Sequence, residues 1–402
     1  MLDIPPGSGD STLKLAAPGG QPDIEYHPDP AKYATRTLLR LQNDPSLRET
    51  PLPPGFPEKV EGPIVWEGKD WTDEKQWVYE LSAVELKEID DAIKYFRDLN
   101  IPLGHLSPAN FPLPTLSPTL RSLSSELYSG RGFFVLRTLP VDTYSKLETA
   151  IAFAGISSHV GPLRGRQSGN GAVFAHIKDL RATHNLKEIG NAAYTTDAQV
   201  FHTDAGDLIA LLALEVAAEG GTSRIASSWK VYNEIARTRP DLIDTLAKKW
   251  PLDSFGGNPP YTERPLLFYE EGKIILQYSR RHFTGYLSQR RSPDIPPTTE
   301  AQAEALDAIH FTAEKYSLAL NFQKGDVQFI NSLGLVHARD GFRDDEKNTR
   351  HLIRLWLRND ELAWKTPHEL RHIWDRLYTL KPEEQNFPLE PEVRKGAGGV
   401  AK

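Results

Sequence analysis

The sequence predicts an α+β, mainly β protein: an antiparallel barrel or sandwich decorated with helices. Three observations carry this. Short runs rich in Val, Ile, Leu and Phe recur between 198 and 226 and again between 264 and 358, broken by Gly, Asp and Asn. Helical patterns gather ahead of these runs and in one block between them. The two kinds of pattern do not alternate as βαβ units, which argues against a doubly wound parallel sheet.

The elements follow in order. Twelve of the 31 prolines fall in the first 63 residues, and a segment such as PLPPGFPEKVEGP cannot be a central strand or a helix interior. Residues 1–80 read as a Pro-rich extended arm with one short helix near 33–41, and the first 20 residues read equally well as a disordered tail. Ser82 and Glu85 form a capping box ahead of Leu86, Ile89, Ile93 and Phe96, predicting a helix over 83–98. A second helix is expected over 119–129 and a strand over 133–139. Residues 161–197, rich in Gly, Arg and Asn, read as a long irregular connection around an apolar island at 173–177. Such loops tend to be lids or binding loops. Strands are expected at 198–202, 208–217 and 222–226, and helix over 229–249. A hairpin is expected over 264–278, turning at Glu271-Gly272. A long helix follows over about 299–321, with Gly325 as its break, then strands at 326–331 and 351–358. A short helical tail leads to Gly396–Gly399, where disorder is expected. The main domain is taken as 81–365, with a helical insert at about 229–322 and a tail over 366–402.

Composition excludes several functions. The chain has 402 residues, 39% of them hydrophobic, enough for a sizeable core. No run approaches the roughly 18 apolar residues of a membrane span, so no membrane partner is expected. The N-terminus lacks the basic start and apolar stretch of a secretory signal, so a cytoplasmic address is expected. There are no cysteines, which rules out disulfides, thiolate metal sites and cysteine nucleophiles. A transition metal would have to be held by imidazole and carboxylate. Net charge is −7 with no basic run, so nucleic acid is not an expected partner.

His202-Thr203-Asp204 is the first candidate for chemistry. On a strand, residues i and i+2 share a face, so an imidazole and a carboxylate would project side by side. A single His-x-Asp is common by chance, and on its own it fits a surface strand edge better than a metal site. A facial triad needs a second histidine from a distant strand and leaves metal positions open for co-substrate and oxygen. His337 follows the apolar run DVQFIN and the turn SLGLV. Arg350 and Arg354 come next, in TRHLIRLWLR. Alternation places Arg350, Leu352, Arg354 and Trp356 on one face. Buried guanidinium groups are costly unless an anion meets them, and their fork suits a carboxylate. Pairing with structural Asp or Glu is the plainer alternative.

Four motifs then occur in order: FHTDAGD (201–207), EGGTS (219–223), HARDGF (337–342) and RHLIRLWLR (350–358). With them the chain resembles the taurine/2-oxoglutarate dioxygenase (TauD/TfdA-like) family, and within it fungal members of specialised metabolism, over roughly 130–365. The resemblance implies a double-stranded β-helix, or jelly-roll, core with flanking helices and a helical insert. It implies iron(II), 2-oxoglutarate and O2 as cofactor and co-substrates. It makes His202, Asp204 and His337 the iron ligands, Arg350 and Thr222 the grip on the distal carboxylate of 2-oxoglutarate, and Arg354 the substrate-binding arginine. Ala198 stands where the taurine enzyme has an asparagine, so taurine is a poor substrate candidate.

Other residues are set aside. His310 is expected to be structural, and His351 to pack or support the site. His176 is a weak candidate for approaching substrate. His368 and His372, spaced i, i+4 without an HExxH pattern, are not taken as a metal pair. Arg164 and Arg166 are expected in a solvated loop, with the site entrance as the alternative. Phe342 fits substrate contact and core packing equally.

The expected function is oxidation of a small anionic or zwitterionic molecule by hydroxylation, desaturation or ring closure, an amino acid being one candidate. Two rivals are open: a non-catalytic barrel binding a ligand through its arginines, and a metal hydrolase using the same triad. A homo-oligomer is also open.

Overall fold

A computed structural model describes residues 12–17 and 19–394. The expected disorder at Gly396–Gly399, and the N-terminal tail up to residue 11, lie outside the described residues.

Two sheets face each other. The larger is built from β1 (Val78–Glu80), β2 (Phe133–Arg137), β3 (Leu163–Arg164), β4 (Ala175–Lys178), β6 (Leu208–Glu215), β9 (Val327–Asn331) and β11 (His351–Arg358). Its order is β1-β2-β9-β6-β11-β3, with β4 also pairing β11. The smaller joins β5 (Gln199–His202), β7 (Ser223–Ser227), β8 (Leu318–Leu320) and β10 (Leu335–Arg339) in the order β8-β7-β10-β5. Every pairing is antiparallel except β1 with β2. This is the jelly-roll core. Its central strand β6 is a near-continuous apolar run because both of its faces are covered.

Helices cover the larger sheet on its outer side. α2 (Ala83–Asp98) starts at the Ser82–Glu85 capping box that the sequence shows. α3 (Leu116–Ser129) packs on β2 and β9, and α4 (Lys146–Val160) packs on α2 and α3. α5 (Ser228–Thr238), α6 (Pro240–Ala247) and α7 (Glu300–Tyr316) belong to the insert; α5 and α7 lie against the smaller sheet, and α6 packs on both of them. The hairpin Leu267–Glu270 with Lys273–Leu276 turns at Glu271 (φ 47°) and Gly272 (φ 78°), the left-handed pair that a tight hairpin turn needs.

Three expectations need correction. α4 was not foreseen. The long helix ends at Tyr316, not near 321, and the chain goes directly into β8. The connection at 161–197 is less irregular than expected, since it contributes β3 and β4 to the larger sheet.

The N-terminal segment is fastened to the insert. α1 (Pro30–Asn43) covers the stretch where a short helix was expected. Its Arg36 is buried and pairs with Asp307 at 2.8 Å and Glu300 at 2.9 Å, both on α7.

Candidate active site

Strand pairing brings the two histidines together. His202 ends β5, His337 lies mid-way along β10, and the two are direct cross-strand partners. Their ring centroids are 4.1 Å apart. Asp204 follows where the chain leaves the sheet, and its backbone is pinned. Its N–H donates to Ser332 Oγ (3.0 Å), and its carbonyl accepts from Gln277 Nε2 (2.8 Å). His202 Nε2 lies 3.9 Å from Asp204 Oδ1, and His337 Nε2 lies 4.0 Å from Oδ2. Among the described residues these three form one group whose donor atoms all lie within 4.8 Å of one another. Gly206 has φ 111°, and a Cβ there would sit 2.7 Å from Tyr378 Oη, so the HTDAGD turn needs glycine at that point.

Electrostatics prepare this donor set. His202 Nδ1 lies 2.9 Å from the Val200 carbonyl oxygen. A carbonyl can only accept, so that nitrogen carries the proton and Nε2 keeps its lone pair. Burial lowers both imidazole pKa values, and the two rings disfavour each other's protonation at His337. Burial opposes charge on Asp204, but Arg354, then His337 and His202, outweigh it and hold the carboxyl well below its usual range. Two neutral imidazoles and one carboxylate suit a divalent first-row metal such as iron(II).

Arg354 belongs to this cluster. Its Nη1 donates to Asp204 Oδ2 at 2.6 Å and its Nε to Gln167 Oε1 at 2.9 Å. Trp356 Nε1 donates to the same Oδ2 at 3.2 Å. Burial pulls this guanidinium down to about 10, with Asp204 pushing the other way. Arg354 Nη2 is buried without a partner.

Arg350 and Thr222 line a different recess, with Leu352 and Phe322. Arg350 Nη1 is buried and unpartnered. Burial, then the neighbouring Arg339, lowers its pKa to about 9, so it is still charged at neutral pH. Phe342 lies beneath both guanidinium groups, at 4.8 Å from Arg339 and 5.5 Å from Arg350. Gly221 (φ 71°) allows the EGGTS turn to approach, since a Cβ there would meet Arg350 Cδ at 3.1 Å. The structure therefore places 202, 204 and 354 on one cavity, with 337 grouped with 202 and 204 through its donor atom, and 222 and 350 on another.

The residues set aside find structural partners. His176 Nδ1 faces His351 Nε2 at 2.7 Å, and His176 Nε2 faces the Pro388 carbonyl at 2.9 Å. His310 is buried between Phe201 and Phe311. His368 and His372 are outside the metal-capable group. Arg164 is not in a solvated loop. It is buried, and donates to Gln385 and to the Leu106 and Gly104 carbonyls. Tyr26, Arg264, Arg281 and Arg394, none foreseen, line the cavity of the triad.

The model of the "Taurine catabolism dioxygenase TauD, TfdA family" matches residues 99–356. The chain belongs to this family. Taurine hydroxylase-like protein SAT17 of Stachybotrys chartarum is 39% identical over 341 residues, covering 83% of this chain and 89% of that one. FR-33289 synthase of Streptomyces rubellomurinus is 26% identical over 333 residues, covering 80% and 97%. Among solved structures, an asparagine oxygenase complex with Fe(II), 3-hydroxyasparagine and succinate aligns with TM-score 0.52 at 16% identity, covering 70% of this chain and 93% of that one. The oxygenase OrfP with iron and alpha-ketoglutaric acid gives 0.52 at 17% identity, covering 70% and 94%. These two show the shared fold. As a TauD/TfdA member the chain is a non-haem iron, 2-oxoglutarate-dependent dioxygenase, using Fe(II), 2-oxoglutarate and O2. Among the described residues no helix is long and apolar enough to cross a membrane.

Proposed function

We propose that this dioxygenase oxidises a C–H bond of a small anionic molecule at a centre held by His202, Asp204 and His337. The observation that carries the reading is the convergence of two neutral imidazoles and one buried carboxylate, from separate elements, within 4.8 Å. When bound, iron(II) with 2-oxoglutarate supplies oxidative decarboxylation and removal of a substrate hydrogen.

The chain's residues do the rest. Val200 fixes the His202 tautomer. Arg354 and Trp356 hold Asp204 Oδ2, which orients the carboxylate and leaves Oδ1 turned toward His202. Gln167 fixes Arg354 in turn. The unpartnered Nη2 of Arg354 is the atom left for a substrate anion. Arg350 and Thr222 are the grip for the far carboxylate of 2-oxoglutarate. The orphaned buried Nη1 of Arg350 supports that assignment, because such a group is costly without an anion.

The test is succinate formation from 2-oxoglutarate by the full chain with iron(II), in air and under argon. Oxygen-dependent succinate that disappears in Asp204→Ala is expected. Iron uptake without any succinate would make it a binding protein, and hydrolysis of an ester or amide with zinc under argon, again without succinate, would make it a hydrolase.

A further inference from the structure

The cavity of the triad has a charge imbalance that the iron chemistry does not use. Five arginines line it (264, 280, 281, 354 and 394) against a single carboxylate, Asp204. Two are neutralised: Arg354 by Asp204 at 2.6 Å, and Arg280 by Asp307 at 2.7 Å. The other three have no carboxylate partner among the described residues. Arg264 donates only to the Pro265 and Gln277 carbonyls. Arg281 donates to the Gly190 carbonyl and Gln289 Oε1. Arg394 donates to the Tyr194 hydroxyl. Arg264 and Arg281 come from two neighbouring stretches of the insert, and Arg394 from the C-terminal segment.

Arg281 is buried, and Arg264 and Arg394 are half-buried. A cation shielded from water without a counter-charge is costly, and three around one cavity also repel one another. Burial lowers both Arg264 and Arg281 to about 10, Arg394 adding to the effect on Arg281, while at Arg394 burial is outweighed by Tyr194 and then Asp204, which raise the pKa, so all three remain charged near neutral pH. A bound metal adds two more positive charges beside them. A ligand that matches this field brings at least two negative charges. A free ammonium group finds no free carboxylate there, since the one in the cavity is already held by Arg354 and faces the metal position, and it would stand among five guanidinium groups.

We infer that Arg264, Arg281 and Arg394 form a subsite for the substrate, and that the substrate is a dianion without a free ammonium group. The dianion is either a phosphonate or phosphate group or a pair of carboxylates. This rests on the proposed dioxygenase reading. The trio sets specificity and takes no part in binding 2-oxoglutarate, whose grip is assigned to Arg350 and Thr222. Arg394 lies outside the residues matched by the family model, so this selectivity is added to the family core by the C-terminal segment.

Two measurements on the full-length protein test it. Calorimetry under argon, with iron(II) and 2-oxoglutarate bound, compares methylphosphonate, glutarate, taurine, L-asparagine and L-arginine. The expected result is that methylphosphonate or glutarate binds at least about tenfold tighter than the zwitterions. Arg394→Gln should reduce that preference about tenfold or more, Arg394→Lys should restore part of it, and 2-oxoglutarate affinity should change less than about threefold. Arg264→Gln and Arg281→Gln should act alike. Because Arg394 is held by Tyr194 alone, its variants remain informative if the Arg281 variant does not fold. A zwitterion that binds as tightly as the dianions, or an unchanged preference in Arg394→Gln, overturns the subsite. The second measurement is oxygen-dependent succinate release without substrate. If it is present while the dianion preference is absent, only the subsite fails; if it is absent, the dioxygenase reading fails.

Discussion

Replacing Arg354 by methionine keeps most of the side-chain bulk and removes the charge that faces Asp204. The bond lost is 2.6 Å long, between side chains only 5% and 10% exposed. At an effective dielectric constant near 20, a pair at that distance attracts by about 6 kcal/mol. Desolvation offsets part of this, and truncating one partner of a buried pair typically costs about 3–5 kcal/mol because the other charge is stranded. Trp356 still donates to Oδ2, which places the expectation at the lower end, about 3 kcal/mol in metal-free protein. A divalent ion would compensate the stranded carboxylate. Saturating Mn(II) should therefore stabilise Arg354→Met more than it stabilises the wild type. Urea unfolding of both proteins, with EDTA and with Mn(II), measures the difference. A metal-free variant as stable as the wild type would show that Asp204 and Arg354 are not paired in solution. Equal stabilisation by Mn(II) would show that the arginine and the ion do not share a carboxylate.

Arg350→Ala should raise the 2-oxoglutarate requirement by roughly 10- to 200-fold, the worth of a charged hydrogen bond of about 1.5–3 kcal/mol, with a much smaller effect on maximal rate; an unchanged KM for 2-oxoglutarate in the succinate assay would remove it from that role. Gly206→Ala should cost about 1–3 kcal/mol, since φ 111° and a contact at 2.7 Å to Tyr378 Oη both oppose a Cβ; a melting temperature equal to wild type would contradict the turn geometry. His310 is held down to about 3, by burial first and then by Arg280. Its folded-state value lies below the ordinary 6.5, so its contribution is intact above pH 6.5 and is lost as pH falls toward the folded value, by about 2 kcal/mol at pH 5. His310→Phe, which keeps an aromatic ring between Phe201 and Phe311, should therefore lose about 2 kcal/mol less than wild type between pH 7 and pH 5; urea unfolding curves with the same pH dependence would refute this.

Legibility in the sequence followed periodicity. The 83–98 helix announced itself through its cap and one apolar stripe, and β11 through a near-continuous run of strand-forming apolar residues. α4 did not, because Ala150, Ile151, Ala152, Phe153 and Ala154 are all buried and no polar face marks the turn of a helix. The end of the long helix was misplaced because Leu318 and Leu320, which extend its apolar row, are strand residues facing the core. His202 and Asp204 were readable together because they are two residues apart, although the strand expected to carry both ends at His202 and Asp204 reaches the site from the turn beyond it. The bond from Arg354 to Asp204 was not, since 150 residues separate them and only the packing of β11 against the HTDAGD turn decides it. Arg264, Arg281 and Arg394 stand in charged stretches that look like solvated loops. Their convergence brings two stretches of the insert together with the C-terminal segment, and no short motif records it.

The position of β5 at the margin of the smaller sheet has a mechanical consequence. That strand has β10 as its one ladder partner, and the register between them slips between His337 and Arg339. Its last residue is one of the proposed iron ligands, while a second ligand sits on the neighbouring strand and the third is clasped by Arg354 from the opposite sheet. An ion at that point acts as a rivet, joining the loosest strand of the roll to both layers at once. Amide hydrogens of Gln199–His202 should then exchange with solvent far faster once the metal is stripped, while those of β6, enclosed between β9 and β11, should hardly notice.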